Sequence, residues 1–319
     1  MMPVRRPQGW TVGYIEAAEK AFEEVPVHLR SSVVAVLWFK NGKTRFAGTA
    51  FFISPSLLVT ARHVVWDDEI EQPVLPPGVA THTFEFPQDG HLLLLVRGGD
   101  ADDAPAVIEV LRTSLSGHNS DVGLLEIDPS EVRQYFPDLV LPVACPLTRT
   151  APEVGGQCLA VGYADPTIDG TSDWVPAEPG QSFAANVPLR ARAGVIRELH
   201  PSGRGTSNTG LGSFPVFEVS AHYDHMMSGG PVFNEQGEVI GVVSSSFDFE
   251  GDEEPVAAAS YIAPLLALPV NDPTKPGTTT TLVELLERGV IPSAGSGTMT
   301  LLIDYTEQRY SVEFPNNQP

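Results

Sequence analysis

Apolar residues fall in many short blocks along this chain, most of them four to seven residues long and separated by turn residues. Val33–Phe39, Gly48–Ile53, Leu57–Thr60, Leu92–Val96 and Val107–Leu111 are the blocks of the first half, closed by Val122–Ile127. Leu159–Gly162, Arg190–Ile196, Val216–Ser220, Pro231–Asn234 and Val239–Val243 follow in the second. Runs of this length, rich in Val, Ile, Leu and Phe and bounded by Gly, Pro, Asn and Ser, predict strands rather than helices. Helical spacing shows in two places. In residues 11–25, apolar Ile15, Ala18, Phe22 and Val25 interleave with Glu16, Glu19, Lys20, Glu23 and Glu24, predicting a short amphipathic helix. Leu282–Arg288 predicts another, after a linker at Asn271–Gly277, with a hairpin of Thr298–Tyr305 and Gln308–Phe314 behind it.

Composition supports an all-β reading with a substantial core: 319 residues, 42% hydrophobic, with 29 Gly and 29 Pro to punctuate the strands. A formal charge of −21 argues against nucleic acid or an anionic membrane as partner. No run reaches membrane-spanning length, and Pro3-Val4-Arg5-Arg6-Pro7 does not lead into an apolar signal core, so the expected location is cytoplasmic. Cys145 and Cys158 allow one disulfide at most, and both thiols are expected free and buried. Neither has metal-ligand spacing. His222 and His225 flank Tyr223-Asp224 and are expected to be solvated or hydrogen-bonded, not metal ligands. No cofactor is called for.

Three stretches carry candidate chemistry. Met226-Met227-Ser228-Gly229-Gly230-Pro231-Val232 sets a serine on a glycine-flanked turn before an apolar strand. Such a turn can present both a nucleophile and the backbone N–H groups that stabilise an oxyanion, although it also fits an ordinary turn. His63 follows a strand in Thr60-Ala61-Arg62-His63, and imidazole titrates near neutrality as a general base requires. Asp121 opens the apolar run Asp121-Val122-Gly123-Leu124-Leu125, where a buried carboxylate needs a hydrogen-bond donor. The imidazole N–H of His63 is the natural candidate; a capping role at the turn is the alternative.

The order His63, Asp121, Ser228 and the residues around each resemble the trypsin-like, chymotrypsin-fold serine peptidases, in the style of bacterial members without disulfide stapling. Thr60-Ala61-Arg62-His63 is similar to the family's Thr-Ala-Ala-His, Asp121-Val122-Gly123-Leu124-Leu125 to its Asp-Ile-Ala-Leu-Leu, and Ser228-Gly229-Gly230-Pro231-Val232 matches its string unchanged. The resemblance covers about residues 28 to 268 and implies two six-stranded antiparallel Greek-key barrels. It divides the chain into an N-terminal extension with a helix (1–27), a first barrel carrying His63 and Asp121 (28–145), a second carrying Ser228 (146–270), and a C-terminal tail (271–319). That tail is too short for an independent core, so docking on the barrels or on a partner is expected. The implied activity is serine endopeptidase, with backbone N–H groups of Met226 and Ser228 forming the oxyanion hole. His222 and the strand Ser244, Ser245, Ser246 are implied substrate-binding residues, with Ala258–Ser260 opposite.

Departures from the family pattern bear on control. Met227 occupies the place of the aspartate that pairs with a new N-terminus in members activated by proteolysis. Met226 stands where the family has glycine, from which a hole not formed until substrate or a partner protein binds is expected. The acidic run Asp248, Glu250, Asp252, Glu253, Glu254 reads either as a solvated loop or as a cleft border that favours basic peptides. Peptide or protein substrates, with a possible activating or docking partner, follow from the resemblance. A catalytically impaired binding module of the same fold remains the alternative, with an esterase behind it.

Overall fold

The computed structural model describes residues 11–14, 25, 27–65, 81–84, 90–96, 106–116, 120–135, 144–177, 182–203, 214–247, 255–275, 277–294, 300–304 and 309–313. It is a mostly β, chymotrypsin-like arrangement of two curved sheets. In the second half, six strands close into a ring: Pro231–Asn234, Gln157–Tyr163, Leu189–His200, Val216–Val219, Val256–Tyr261 and Val239–Phe247, which returns to Pro231–Asn234. Every pairing in the ring is antiparallel. Three register shifts, between Ile196 and Glu198, Val232 and Phe233, and Val243 and Ser245, supply the bends that closure requires.

The first half is a curled half-barrel rather than a second closed ring among the described residues. Its order is Thr81–Phe84, Arg112–Ser116, Gly123–Glu126, Leu57–Thr60, Lys43–Ser54, Val33–Lys40, Gly90–Val96 and Ala106–Glu109. Leu57–Thr60 and Gly123–Glu126 pair directly, with Thr60 opposite Gly123, which brings the chain before His63 beside the chain after Asp121. Val33–Val36, Ala50–Ile53, Leu92–Val96 and Leu124–Leu125 are fully buried and form one core with the ring's Val161, Val232 and Val242. Continuous apolar strands of this kind are covered on both faces, hence their lack of alternation.

Thr11–Tyr14, at the start of the expected N-terminal helix, instead form a strand parallel to Ser182–Asn186; residues 15–24 of that helix lie outside the described residues. At the other end, Pro269–Asn271 pairs with Thr279–Thr281, and the helix Leu282–Glu287 buries Leu282, Leu285 and Leu286 in the common core. Thr281 caps that helix by accepting from the Glu284 N–H. Glu126 accepts from Asn271, and Ser114 Oγ donates to the Pro269 carbonyl, so this segment is fastened to the half-barrel. Thr300–Asp304 and Arg309–Glu313 pair as the C-terminal hairpin. Among the described residues no helix is long and apolar enough to cross a membrane. The acidic run at residues 248–254 lies outside them.

Candidate active site

Asp121 is the best-connected of the three candidate residues. Its side chain is buried, and its carboxylate accepts from the His63 main-chain N–H at 3.0 Å and from the His63 Nδ1 at 2.8 Å. Ser244 Oγ donates to Oδ2 at 2.5 Å. One carboxylate therefore caps the short helix Arg62–Val65, orients the imidazole and is itself held from the second barrel. Val64 and Val65 are buried, and Trp38 Nε1 donates to the Val64 carbonyl, so the helix that carries His63 is anchored from below. The His63 ring is half-exposed, with its Nε2 edge left for a reacting partner.

Desolvation by burial pulls the His63 pKa down, but the charge of Asp121 and its hydrogen bond outweigh this, so the value lies above the usual 6.5. Neutral imidazole is the form that accepts a proton. Activity that depends on it is therefore expected to fall as pH drops through a value above 6.5, which a pH profile of kcat/KM and an NMR titration of the His63 ring will both read. The same shift stabilises the fold below pH 6.5, and that contribution is lost as pH rises through the raised pKa.

Ser228 lies on the turn between loop 221–227 and the strand Pro231–Asn234. Its hydroxyl donates to the Ser244 carbonyl at 3.1 Å and not to His63. Gly229 follows with φ of +88°, and a Cβ there would lie 2.0 Å from the Thr49 carbonyl. At Gly230 a Cβ would lie 2.1 Å from the Val161 carbonyl and 3.0 Å from that of Met227. These obstacles are backbone and cannot give way, so Gly229 is required by the close approach of the two halves and Gly230 by the close packing of the turn on Gln157–Tyr163 of its own barrel. Gly230→Ala is expected to destabilise by about 3 kcal/mol, a fall of roughly 6–12 °C in Tm, measurable by calorimetry.

The peptides before Ser228 are aimed by their carbonyls. The His225 carbonyl accepts from the Asp165 N–H at 3.0 Å, and the Met226 carbonyl accepts from Thr49 Oγ1 at 2.9 Å. Every peptide here is trans, so the Met226 N–H points away from Asp165. Met226 has φ of +71°, a left-handed conformation that costs a non-glycine residue about 1–2 kcal/mol. Neither the Met226 N–H nor the Ser228 N–H donates to an acceptor among the described residues. The turn thus leaves both N–H groups without an acceptor among the described residues although a side chain stands at 226.

The implied substrate-binding residues separate on inspection. Ser244 serves Asp121, and Ser246 Oγ is taken up by the Tyr223 backbone, accepting from its N–H at 2.7 Å and donating to its carbonyl at 2.8 Å. Ser245 Oγ is buried and finds no hydrogen-bond partner among the described residues, while His222 is exposed. Ala258 and Ser260 are buried strand residues in the ring. Thr49, Asp165 and the carboxylate-holding role of Ser244 were not apparent from the residue pattern. Only the glycine and apolar residues around Thr49 marked its strand as part of the site.

Cys145 and Cys158 are both free and buried, and burial pushes each thiol up to about 12, which removes them as competing nucleophiles at neutral pH. Among the described residues, one group brings three metal-ligand atoms within 4.8 Å of one another: Glu198, His200 and Glu218, without His222 or His225. His200 Nε2 is already 3.2 Å from Glu218 Oε1.

Residues 48–242 match the trypsin-like peptidase domain family. No curated protein matches the chain. Among solved structures, the active form of the Rv3671c protease from M. tuberculosis is 18% identical, with 93% of this chain and 97% of that chain covered and a TM-score of 0.47. Its inactive form is 19% identical over 74% of this chain and 87% of that one, at a TM-score of 0.43. The HtrA-type protease AlgW with decapeptide is 15% identical over 77% and 64%, at 0.45.

Proposed function

The chain belongs to the trypsin-like peptidase domain family, and from that premise we propose that it is a serine endopeptidase acting through an acyl-enzyme. The observation that carries this reading is the 2.8 Å bond between Asp121 and His63 Nδ1. It leaves Nε2 unprotonated in the neutral ring, the tautomer a general base needs. In the proposed reaction the Ser228 hydroxyl turns from the Ser244 carbonyl to His63 Nε2 as a peptide substrate enters. Oγ attacks the scissile carbonyl while His63 takes the proton, and the Met226 and Ser228 N–H groups receive the oxyanion. His63 then protonates the leaving amine, and water hydrolyses the ester by the same sequence in reverse.

The two unsatisfied N–H groups support a hole that stands open before substrate arrives, in place of the closed hole that Met226 suggested. His222, exposed on the loop before Ser228, is the proposed substrate contact; Ser244 and Ser246 spend their hydroxyls internally and Ser245 Oγ is buried. A fluorophosphonate probe tests the reading: stoichiometric labelling of the isolated protein, mapped to Ser228 by mass spectrometry, is the expected result. No labelling, together with no cleavage of a peptide library, would leave the binding module of the same fold as the better account.

A further inference from the structure

Thr49 lies 177 residues from Met226 in sequence, yet both of its donors, the N–H and the hydroxyl, are bonded to the nucleophile turn. Its N–H donates to the Ser228 carbonyl at 2.8 Å, and its Oγ1 donates to the Met226 carbonyl at 2.9 Å. That hydroxyl accepts in turn from the Tyr163 N–H at 3.0 Å, and the Thr49 carbonyl accepts from Thr60 Oγ1 at 2.7 Å. The residue is fully buried, so no water competes for these bonds.

We infer that Thr49 is a positioning residue that holds the oxyanion-binding turn in its open form, an inference that rests on the serine peptidase reading above. The Met226 carbonyl belongs to the peptide that follows the left-handed residue, and the His225 carbonyl to the peptide that precedes it. Thr49 pins the first and the Asp165 N–H pins the second, so both planes flanking Met226 are held. A non-glycine residue at φ of +71° persists only where its surroundings over-determine it, and these two bonds are that determination. Thr49 comes from the half-barrel that also carries His63 and Asp121. The base, its orienting acid and one of the two bonds that set the turn thereby come from the same half, while the nucleophile and Asp165 come from the other.

The test compares Thr49→Val, which keeps the shape and removes the hydroxyl, with Thr49→Ser, which restores it. Expected for Thr49→Val is a kcat lowered about 10–100-fold with KM within twofold, less than the loss of an oxyanion donor outright. Affinity for a peptide boronate, which needs the hole, should fall in parallel, and Thr49→Ser should recover most of both. Unchanged kcat in Thr49→Val, or equal damage in the two variants, would overturn the inference. A loss of amplitude that merely follows the folded fraction in a thermal scan would do the same. If the wild type neither cleaves nor labels, the peptidase reading is what has failed. The amide resonances of Met226 and Ser228 in Ser228→Ala protein then decide the positioning role alone, shifting with Thr49→Val and not with Thr49→Ser if it holds.

Discussion

Ser228→Ala is expected to lower kcat by about 10⁶-fold, the scale seen when a triad nucleophile is removed, while leaving the fold in place. The hydroxyl makes one hydrogen bond, to the Ser244 carbonyl. Such a bond contributes about 1 kcal/mol. The backbone groups that build the turn, the Ser228 carbonyl bonded to the Thr49 N–H and the free Ser228 N–H, are untouched by the substitution. Peptide cleavage and circular dichroism on the same preparation check both halves of this expectation. An alanine variant that still cleaves at a hundredth of the wild-type rate would mean that Ser228 is not the attacking group.

Asp121→Asn is expected to lower kcat by about 10⁴-fold near neutral pH, and to cost about 1.5–3 kcal/mol of stability through the charge-assisted hydrogen bonds it weakens. Asp121 is an acceptor toward three donors: the His63 main-chain N–H, the His63 ring and Ser244 Oγ. An amide has one oxygen and one NH₂ in the same space. In the place of Oδ2 the NH₂ faces both Ser244 Oγ, whose hydroxyl can rotate to accept, and His63 Nδ1, which must become the acceptor so that Nε2 carries the proton and the base is lost. In the place of Oδ1 it opposes the His63 main-chain N–H, a donor that cannot rotate away. Either arrangement removes the charge that raises the His63 pKa, so the acid limb of the residual activity should move to lower pH. A variant with wild-type kcat and an unmoved limb would show that Asp121 only caps the turn.

Local signals located the three candidate side chains because each lies in a short run whose character does not depend on distant residues. The exact spans Leu57–Thr60 and Pro231–Asn234 were legible for the same reason: apolar blocks ended by turn residues. Other strands were not. Val256–Tyr261 is rich in alanine, a weak strand former, and becomes a strand because it fits between Val216–Val219 and Val239–Phe247 and is buried throughout. Arg112–Ser116 looks polar, yet Thr113, Ser114 and Ser116 are buried, two of them with hydroxyls bonded to backbone carbonyls. Thr11–Tyr14 shows the reverse error: an apparent helical repeat gave way to pairing with a strand about 170 residues away.

The amino-acid sequence by itself determined the all-β character and singled out Ser228, His63 and Asp121 as the candidate nucleophile, base and acid. Periodicity, glycine placement and side-chain chemistry are properties of neighbouring residues. Tertiary structure alone decided that the second sheet closes while the first stays curled, and that Ser244 serves Asp121 instead of a substrate wall. It also decided that Thr49 and Asp165 aim the peptides around Met226. These are choices of hydrogen-bond partner between segments far apart in the chain, and a residue's own preferences do not specify which distant donor or acceptor will face it once the core has packed.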